Sequence, residues 1–406
     1  MATDALMVVD EDEDDTVDKI VRHAEVLSRR LQDLRRRMYP PQASKSLRTF
    51  TINEVAALIG VPSPTLRAMT LEGKGPEPAR RENNHRAYTL AQVNELRRYF
   101  AEHRPGEAGD FVPRRRSGEH LQVITLANFK GGSAKTTTSV HFAHYLALKG
   151  YRVLAIDLDP QASMSAMFGH QPEFDVDDNE TIYAALRYDE HRRPIRDVIR
   201  PTYFDGLDLI PGNIEVMEFE HDTPRVLASK ERAVETVFFE RLSSALRDVD
   251  DEYDIVILDT PPSLGFLTLS ALYAATGMVV TVHPAMLDVA SMSQFLLMIG
   301  DLTSTLRDAG ATLRKDFLNY LVTRHDPNDQ AQVQVTAVLR AMFPDDVIAP
   351  AMIQSTAVEA AGLSKRTLYE LEPGEVQRNT LKRARESIDA VNDALLDLIH
   401  RSWGRS

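Results

Sequence analysis

The chain has 406 residues, of which 43% are hydrophobic, so it is long enough for two or three domains with substantial cores. It contains no cysteine, which excludes disulfides, iron–sulfur clusters and thiolate zinc sites. The net charge of −13 is unevenly divided, with −7 on residues 1–20, +9 on residues 21–118 and −15 on the remainder. A basic section joined to an acidic one predicts DNA binding confined to one part of the chain.

The chain begins with an acidic segment followed by an amphipathic pattern. Residues 1–13 are interpreted as an acidic tail, because a secretory signal would need positive charge before an apolar run. Residues 14–40 place apolar side chains at helical spacing, which predicts a helix that ends at Pro40-Pro41. Two packing partners stay open for this helix: a second copy of the chain, which would make it a dimerisation helix, or its own neighbouring module. The apolar stripe consists of Val17, Ile20, Val21, Ala24, Leu27, Leu31 and Leu34.

Residues 49–103, after a short linker at 42–48, have the pattern of a helix–turn–helix with a wing. Ala56 is small enough for two helices to cross, Gly60 suits the turn, and Ser63 can cap a second helix. A hairpin wing is predicted over 83–89 and a closing helix over 90–100. The whole resembles the MerR-type winged helix–turn–helix, which implies a DNA-reading helix from Ser63 to Thr70. The predicted DNA-binding residues of this module are Ser63, Thr65, Arg67 and Arg86.

A second domain is predicted over 119–406, after a linker at 104–118 that is rich in proline, glycine and charge. Short apolar runs there alternate with helical patterns, which predicts an α/β fold with a parallel sheet covered on both faces. The uncharged stretch from Thr260 to Leu287 is predicted as a buried helix and a buried strand, and not as a membrane span. The predicted strands lie within 121–128, 151–159, 207–211, 253–260, 277–284 and 319–323.

The first apolar run of this domain leads into a glycine-containing loop and then into a helix. Glycines let backbone N–H groups turn towards phosphate oxygens, and the helix adds the positive end of its dipole. In such a loop Lys135 reaches the β- and γ-phosphates and Thr136 ligates Mg²⁺. The loop departs from the standard P-loop pattern, because Phe129 and Ala134 occupy its two glycine positions. The predicted ATP-binding loop comprises Lys130, Gly131, Gly132, Ser133, Ala134, Lys135, Thr136 and Thr137.

Two other apolar runs end in carboxylates. Residues 151–159 end in Asp157 and Asp159, which the two-residue period of a strand points in the same direction. Residues 253–260 contain Asp259, and a carboxylate at this place in a P-loop NTPase holds Mg²⁺. Each run alone is a weak signal. The loop and both runs, in this order, predict a site for ATP and Mg²⁺.

The loop that opens with Lys130, together with the two runs, resembles the deviant Walker A ATPases of the ParA/MinD superfamily over nearly all of 121–400. The resemblance implies that Lys130 reaches the nucleotide of a partner across a sandwich dimer. It also implies that Asp157 supports Mg²⁺ and that Asp159 orients the attacking water. By resemblance the catalytic residues are Lys130, Lys135 and Asp159, the Mg²⁺ site is formed by Thr136, Asp157 and Asp259, and adenine is contacted by Arg324 and Asp326.

The order of amphipathic helix, winged module and ATPase domain resembles the large ParA-type partition ATPases of low-copy plasmids, and among them the RepA branch of repABC replicons. The resemblance implies a cytoplasmic, nucleoid-associated homodimer that forms with ATP and binds DNA non-specifically to drive segregation. It also implies a ParB- or RepB-like centromere-binding partner that stimulates slow ATP hydrolysis. The winged module would bind an operator and repress the protein's own operon.

A second DNA surface is predicted on the acidic domain, because the segment with Lys365 and Arg366 lies where the partition family contacts DNA. Further basic residues begin the C-terminal helix. The alternative for both groups is a solvated helix face with internal salt bridges. The additional basic residues are Arg378, Lys382, Arg383 and Arg385.

Two other functions compete with partition. One is a transcriptional repressor for which ATP is only a conformational ligand, and the water-orienting Asp159 argues against it. The other is a membrane-cycling positioning ATPase. The amphipathic segment 384–402 is not rich in Lys/Arg interleaved with bulky apolar residues, so it is expected to dock on the domain and not on a membrane. Nitrogenase-type iron proteins share the loop but bind their cluster through cysteine, which this chain lacks.

Overall fold

The structure is a computed structural model that describes residues 16–38, 45–80, 86–128, 130–229, 237–308, 310, 314–372 and 374–405. The chain forms two compact units, Met1–Lys45 and Ser46–Ser406. The predicted acidic tail at 1–13 and the tip of the predicted wing at 83–85 lie outside the described residues. None of the described helices combines the length and the apolar character needed to span a bilayer.

The first unit contains the predicted amphipathic helix, α1 (Thr16–Met38). Val17, Ile20, Val21 and Leu27 on its apolar stripe are between 49% and 62% exposed. The helix itself is therefore confirmed, and its role in dimerisation stays a prediction.

The second unit begins with the winged module. A small antiparallel sheet in the order β1–β3–β2 lies beside three helices. Its β2–β3 hairpin corresponds to the predicted wing, although β2 at Ala79–Arg80 precedes the predicted range of 83–89. The elements are β1 (Phe50–Thr51), α2 (Ile52–Ile59), α3 (Ser63–Leu71), β2 (Ala79–Arg80), β3 (Arg86–Tyr88), α4 (Leu90–His103) and the short α5 (Ala108–Phe111).

The turn between α2 and α3 is built partly as predicted. Gly60 ends α2 in the left-handed region, with φ 78°, which glycine adopts without a steric cost. The prediction that Ser63 caps α3 is wrong, because Ser63 is the first residue of the helix and Pro62 precedes it without a side-chain cap. Pro64 in the first turn presets the helical φ, so the helix starts without a capping hydroxyl.

The hydrophobic core of the winged module continues into the second domain. Phe50 and Leu96 of the module belong to the same cluster of buried side chains as Val140 and Phe142 of the second domain. Phe111 is buried in that cluster as well, although it lies in the stretch 104–118 that was predicted as a linker. The module is therefore packed against the second domain.

Within its described residues, the second domain is built on a sheet of seven strands in the order β10–β9–β4–β8–β5–β7–β6. All pairs are parallel except the edge pair of β6 and β7, so the predicted parallel sheet is confirmed. Strand β6 was not predicted, since two residues are too few for a periodic signal. The strands are β4 (Gln122–Ala127), β5 (Val153–Asp157), β6 (Arg200–Pro201), β7 (Leu207–Ile210), β8 (Ile255–Asp259), β9 (Gly277–Val282) and β10 (Phe317–Val322).

Helices cover both faces of this sheet. They are α6 (Lys135–Lys149), α7 (Ser163–Met167), α8 (Pro172–Asp175), α9 (Tyr183–Leu186), α10 (Glu218–Ala228), α11 (Arg241–Arg247), α12 (Phe266–Ala274), α13 (Met286–Asp308), α14 (Gln330–Met342), α15 (Thr356–Leu363) and α16 (Arg378–Ser402). The uncharged stretch that could be mistaken for a membrane span forms the largely buried α12 and the buried β9, as predicted. The C-terminal helix α16 buries Ile388, Val391 and Leu395 in the core, so it docks on the domain as predicted.

The central strands are buried throughout and mostly apolar because both of their faces are covered. Neighbouring side chains along a strand point to opposite faces, so each strand contributes to two separate clusters. The cluster beneath α6 and α16 contains Ile124, Leu126, Val153, Ala155, Ile255 and Ile257, and the cluster on the other face contains Val123, Leu154, Ile156, Val256 and Leu258.

Candidate nucleotide-binding site

The loop between β4 and α6 lies where the carboxyl ends of the central strands meet. Strand β8 pairs with both β4 and β5, and its register places Asp259 opposite Asp157. Parallel strands deliver the residues that follow them to one edge of the sheet. The topology therefore brings together Lys135, Asp157 and Asp259, which are far apart in the sequence.

The loop is held in place by the ends of β9 and β10. The Thr281 hydroxyl donates to Ser133 Oγ at 3.0 Å, and the Thr323 hydroxyl donates to the Ser133 carbonyl at 3.0 Å. Ala134 has φ 65°, a left-handed backbone that costs an L-residue roughly 1–2 kcal/mol. This alanine occupies a glycine position of the standard pattern, and the fixed loop keeps it in the conformation that glycine would adopt freely.

Lys135 is the positive charge among the acids of this edge. Its side chain is 7% exposed, and burial lowers its pKa while Asp259 and Asp159 act in the opposite direction. Burial raises the pKa of Asp259, and burial together with the nearby Asp259 charge raises that of Asp157. Buried carboxylates of this kind favour a bound cation.

The oxygen atoms around Asp259 fit a divalent cation. Asp259 Oδ1 accepts a hydrogen bond from the Ser139 hydroxyl at 2.9 Å, whereas Oδ2 is buried and has no hydrogen-bond partner within the described part of the chain. The Thr136 hydroxyl also contacts this carboxylate and lowers its pKa. Carboxylate and hydroxyl oxygens are the ligands that Mg²⁺ prefers. A cation at Thr136 and Asp259 would satisfy the buried oxygen.

The carboxylates of Asp157 and Asp159 differ in how many hydrogen bonds they accept. Asp157 Oδ2 accepts from the N–H and the hydroxyl of Ser165 at 2.8 and 2.7 Å, and Oδ1 accepts from the N–H of Asp159 at 3.2 Å. Asp157 is therefore placed behind the cation position as a support. Asp159 accepts from the N–H of Gln161 at 2.9 Å, and its carboxylate acts on Lys135. It faces the same site.

A pocket of about 320 Å³ opens beside the loop. Arg324 lines the pocket and its guanidinium donates to the Gly132 carbonyl at 3.1 Å, while its contact with adenine stays a prediction. Asp326 does not line the pocket among the described residues; its Oδ1 accepts from the N–H of Asn328 at 2.9 Å and closes a local turn. The remaining lining residues are Gly132, Ala134, Thr137, Met352, Ile353, Gln354, Ser355, Val358, Glu359 and Gly362.

The pocket wall from Met352 to Gly362 was not predicted from the sequence. The segment before α15 forms an isolated parallel bridge to β10, between Tyr320 and Val347, and a second one, between His325 and Ile353, just beyond the end of that strand. Residues 347–353 are apolar, but Pro350 interrupts them and cannot donate to a ladder, so no strand was predicted there. Only the fold places it across from the loop.

The Lys130 side chain points towards α13 and away from the phosphate site of its own loop. Its Nζ atom forms an ion pair with Asp288 Oδ1 of α13 at 2.9 Å. Its backbone N–H donates to Asn128 Oδ1 at 3.0 Å, which holds the start of the loop against the sheet. Met286 and Leu287 beside Asp288 are exposed. The Lys130 side chain, which by resemblance reaches the nucleotide of a partner chain, therefore lies near the molecular surface at the first turn of α13.

The predicted DNA-reading residues lie on and beside α3. Arg67 is exposed, and Ser63 and Thr65 are half-buried near the start of the helix. Arg86 on the wing borders the same surface depression as Leu71 at the end of α3. The fold therefore brings the wing residue next to the recognition helix.

The basic residues near the C-terminus are largely engaged in ion pairs. The Arg366 guanidinium forms a two-pronged ion pair with Glu375, with one N–O distance of 3.1 Å. On α16, Lys382 pairs with Glu386 at 3.7 Å and Arg385 with Asp389 at 3.9 Å. These ion pairs agree with the alternative interpretation, a solvated face with internal salt bridges. DNA binding by Lys365 and Arg366 stays a prediction.

Known proteins resemble this chain over both of its parts. A model of the AAA domain matches residues 121–310, and a model of the MerR family regulatory protein matches residues 51–88. A candidate replication protein A of Sinorhizobium fredii is 47% identical over 388 residues, which cover 96% of this chain and 95% of the relative. The chromosome-partitioning ATPase Soj of Thermus thermophilus is 32% identical over 272 residues, or 66% of this chain and 96% of the relative.

A solved structure of a partition protein matches with a TM-score of 0.66 and 21% identity, covering 95% of this chain and 99% of that one. This likeness concerns the fold, which extends through the winged module and the parallel-sheet domain together. The resemblance inferred from the loop and the two carboxylate strands is confirmed by these relatives. The chain belongs to the ParA/Soj family of partition ATPases.

Proposed function

We propose that this protein binds and hydrolyses ATP with Mg²⁺, forms an ATP-dependent homodimer, and drives DNA segregation in the cytoplasm on the nucleoid. The observation that carries the proposal is the buried Asp259 Oδ2 atom, which has no hydrogen-bond partner within the described chain. The same carboxylate contacts the Thr136 hydroxyl and interacts electrostatically with Lys135. A bound Mg²⁺ would complete that oxygen's coordination. The names of the relatives, a replication protein and a partitioning ATPase, support the same function.

The residues at the edge of the sheet would share the work of phosphoryl transfer. Lys135 would place its charge on the β- and γ-phosphates, and the N–H groups of Gly131 and Gly132 would bind phosphate oxygens. Thr136 and Asp259 would hold Mg²⁺, which supplies positive charge to the phosphates when bound. Asp159 would orient a water whose oxygen bonds to the γ-phosphorus as the bond to the ADP oxygen breaks. Arg324 would contact the base or ribose from the pocket wall.

A ParB- or RepB-like centromere-binding protein is the partner that we propose for stimulating hydrolysis. The alternative function is a repressor that responds to ATP or ADP without a role in segregation. The core shared by the winged module and the second domain favours it, because a ligand in the pocket could then affect operator binding. Turnover of ATP distinguishes the two functions, since a repressor of this kind needs ligand binding alone.

Replacing Lys130 by alanine is expected to leave ATP affinity within about twofold and to prevent the ATP-dependent dimer. The reason is that the Lys130 side chain points towards α13 and not towards its own phosphate site. Sedimentation of the full chain with ATP and Mg²⁺ is the measurement. Lys74→Ala is the matched control, since Lys74 forms a comparable exposed pair with Glu72 at 2.7 Å. A Lys130→Ala protein that still dimerises with ATP would show that this lysine has no role across the dimer.

Operator binding through α3 is tested best in the full chain, because a truncated winged module would expose the core that it shares with the second domain. Arg67→Ala is expected to weaken protection of an inverted repeat upstream of the protein's own gene by about 5- to 150-fold, as expected for one base contact. Footprinting is the measurement. Arg98→Ala, which removes an exposed arginine from α4, should protect the repeat like the wild type. Equal protection by both variants would contradict the assignment of α3.

A further inference from the structure

The segment 362–370, which is exposed or half-buried at 362–366 and buried at 367–370, is directly connected to the wall of the nucleotide pocket. Helix α15 lines the pocket with Val358, Glu359 and Gly362, and the helix ends at Leu363. The chain then continues within two residues to the basic turn at Lys365. A ligand that fills the pocket therefore touches the helix from which this turn emerges.

A buried histidine links the same segment to the loop's helix. Thr137 lines the pocket from the first turn of α6, and His141 Nδ1 lies 2.7 Å from the Thr137 carbonyl. The backbone N–H of Leu368 donates to His141 Nε2 at 3.2 Å. A carbonyl on one ring nitrogen and an N–H on the other are satisfied together only by the neutral Nδ1–H tautomer. His141 is 1% exposed, and burial lowers its pKa to about 4, so the ring stays neutral near pH 7.

A second histidine of α6 repeats the link one turn later. His144 Nδ1 lies 2.8 Å from the Thr367 hydroxyl, which itself donates to Glu370 Oε2 at 3.1 Å. The Thr367 oxygen therefore accepts from His144. The His144 ring stacks on Phe204 at a centroid distance of 3.8 Å, which prevents it from turning freely. The inner side of the segment is thus fastened to α6 at two consecutive residues.

The outer side of the segment is held more weakly. The Arg366 guanidinium meets Glu375 through a fork pair in which both side chains are about one-third exposed, with relative exposures of 31% and 32%. Partly exposed ion pairs contribute little net stability. The inner contacts of this segment are buried hydrogen bonds, which cost more to break. A change at α6 or α15 would therefore move the turn by opening the outer pair and not the inner contacts.

We infer that segment 362–370 changes its conformation at the protein surface when a nucleotide occupies the pocket. His141 is the positioning residue that couples this segment to the loop. The inference rests on the proposed function only in that a nucleotide occupies the pocket. A ligand that contacts both Thr137 and Gly362, which line the same pocket, stabilises one arrangement of α6 and α15 over others. His141 transmits that preference to the backbone of Leu368.

Hydrogen exchange of the full chain, with and without ADP and Mg²⁺, tests the inference. In the wild type, ADP should slow amide exchange in peptides that cover the loop at 130–140 and in peptides that cover 362–370, by at least about tenfold in each. His141→Leu preserves the approximate size of the side chain but can neither donate nor accept a hydrogen bond. In this variant ADP should still slow exchange at 130–140, and the effect at 362–370 should be lost.

The control is His103→Leu. His103 makes the same local contact, with its Nδ1 atom 2.8 Å from the Tyr99 carbonyl four residues earlier, but in α4 of the winged module. This variant should behave like the wild type. Thr367→Val is the second variant if His141→Leu does not fold, because it removes the hydroxyl that His144 contacts and should reduce the effect at 362–370.

The possible outcomes distinguish a failure of nucleotide binding from a failure of the inference about segment 362–370. Absence of ADP protection at 130–140 in the wild type would reject nucleotide binding, and the inference would fall with it. Protection at 130–140 without protection at 362–370 would leave the proposed function standing and overturn the inference. Full protection at 362–370 in His141→Leu would overturn the role of His141.

Discussion

Replacing Lys135 by alanine is expected to abolish nucleotide binding or to lower Mg²⁺-dependent ATP turnover by roughly 10²–10³-fold. Lys135 is nearly buried and close enough to Asp159 and Asp259 for both carboxylates to affect its pKa. In the variant, the negative phosphates of ATP would lie close to the acidic side chains at this edge of the sheet without the positive charge of Lys135 to compensate for the repulsion. The loss is large because buried charges interact in a medium of lower dielectric constant than water.

Turnover and binding of a fluorescent ATP analogue by the full chain are the measurements for Lys135→Ala. Lys149→Ala is the matched control, since Lys149 is the last residue of the same helix and is exposed there. The control should keep wild-type turnover. Turnover by Lys135→Ala at the wild-type rate would refute the assignment of the phosphate loop, whereas loss of turnover in both variants would point to damage of α6.

Arg97→Ala is expected to lower the free energy of unfolding by roughly 3 kcal/mol, because it leaves buried carbonyls without donors. Arg97 is 3% exposed although it carries a charge. Its guanidinium donates to the carbonyl of Leu148 in the last turn of α6, and to the carbonyl of Leu58 at the end of α2 at 3.0 Å. Helix ends leave carbonyls unpaired, so one side chain of α4 satisfies groups on both sides of the junction between the two domains.

The same contact explains the glycine that ends α6. Gly150 has φ 100°, and a Cβ atom built on it would lie 3.2 Å from the Arg97 side chain. Beside it, Asn94 donates to Asp205 Oδ2 at 2.7 Å and extends the contact from α4 to the second domain. Helix α6 therefore has the phosphate loop at its first turn and the winged module at its last.

Urea unfolding of the full chain at neutral pH measures the effect of Arg97→Ala. Arg98→Ala is the control, because this neighbouring arginine is exposed and its removal should change the unfolding free energy by less than about 0.5 kcal/mol. If the two variants were equally stable, the buried arginine would not hold the junction. A lower denaturant dependence in Arg97→Ala would indicate that the two domains separate before either unfolds.

The sequence by itself determined the elements and the chemistry of the loop. Strands β4, β5 and β8 are buried on both faces, so each is a mostly apolar run that ends in the loop or in a carboxylate. The order of these runs along the chain is enough to predict a parallel sheet, since connections in such folds are short and of one hand. Lys135, Asp157 and Asp259 could therefore be named before their proximity was known. The helix–turn–helix was predicted from local signals in the same way, although Ser63 was wrongly predicted to cap α3.

Only the tertiary structure decided which side chains meet across long stretches of chain. Arg97 and Leu148 are 51 residues apart, and His141 and Leu368 are 227 residues apart, so no local period relates them. An arginine or histidine with a helical pattern around it has the same sequence signature whether it is exposed or buried. The pocket wall at Met352 to Gly362 was missed for a related reason, because isolated bridges to β10 and to the residues just after it position the wall without a strand of its own. Local sequence sets the period and the ends of each element, whereas burial and long-range hydrogen bonds depend on how the elements pack.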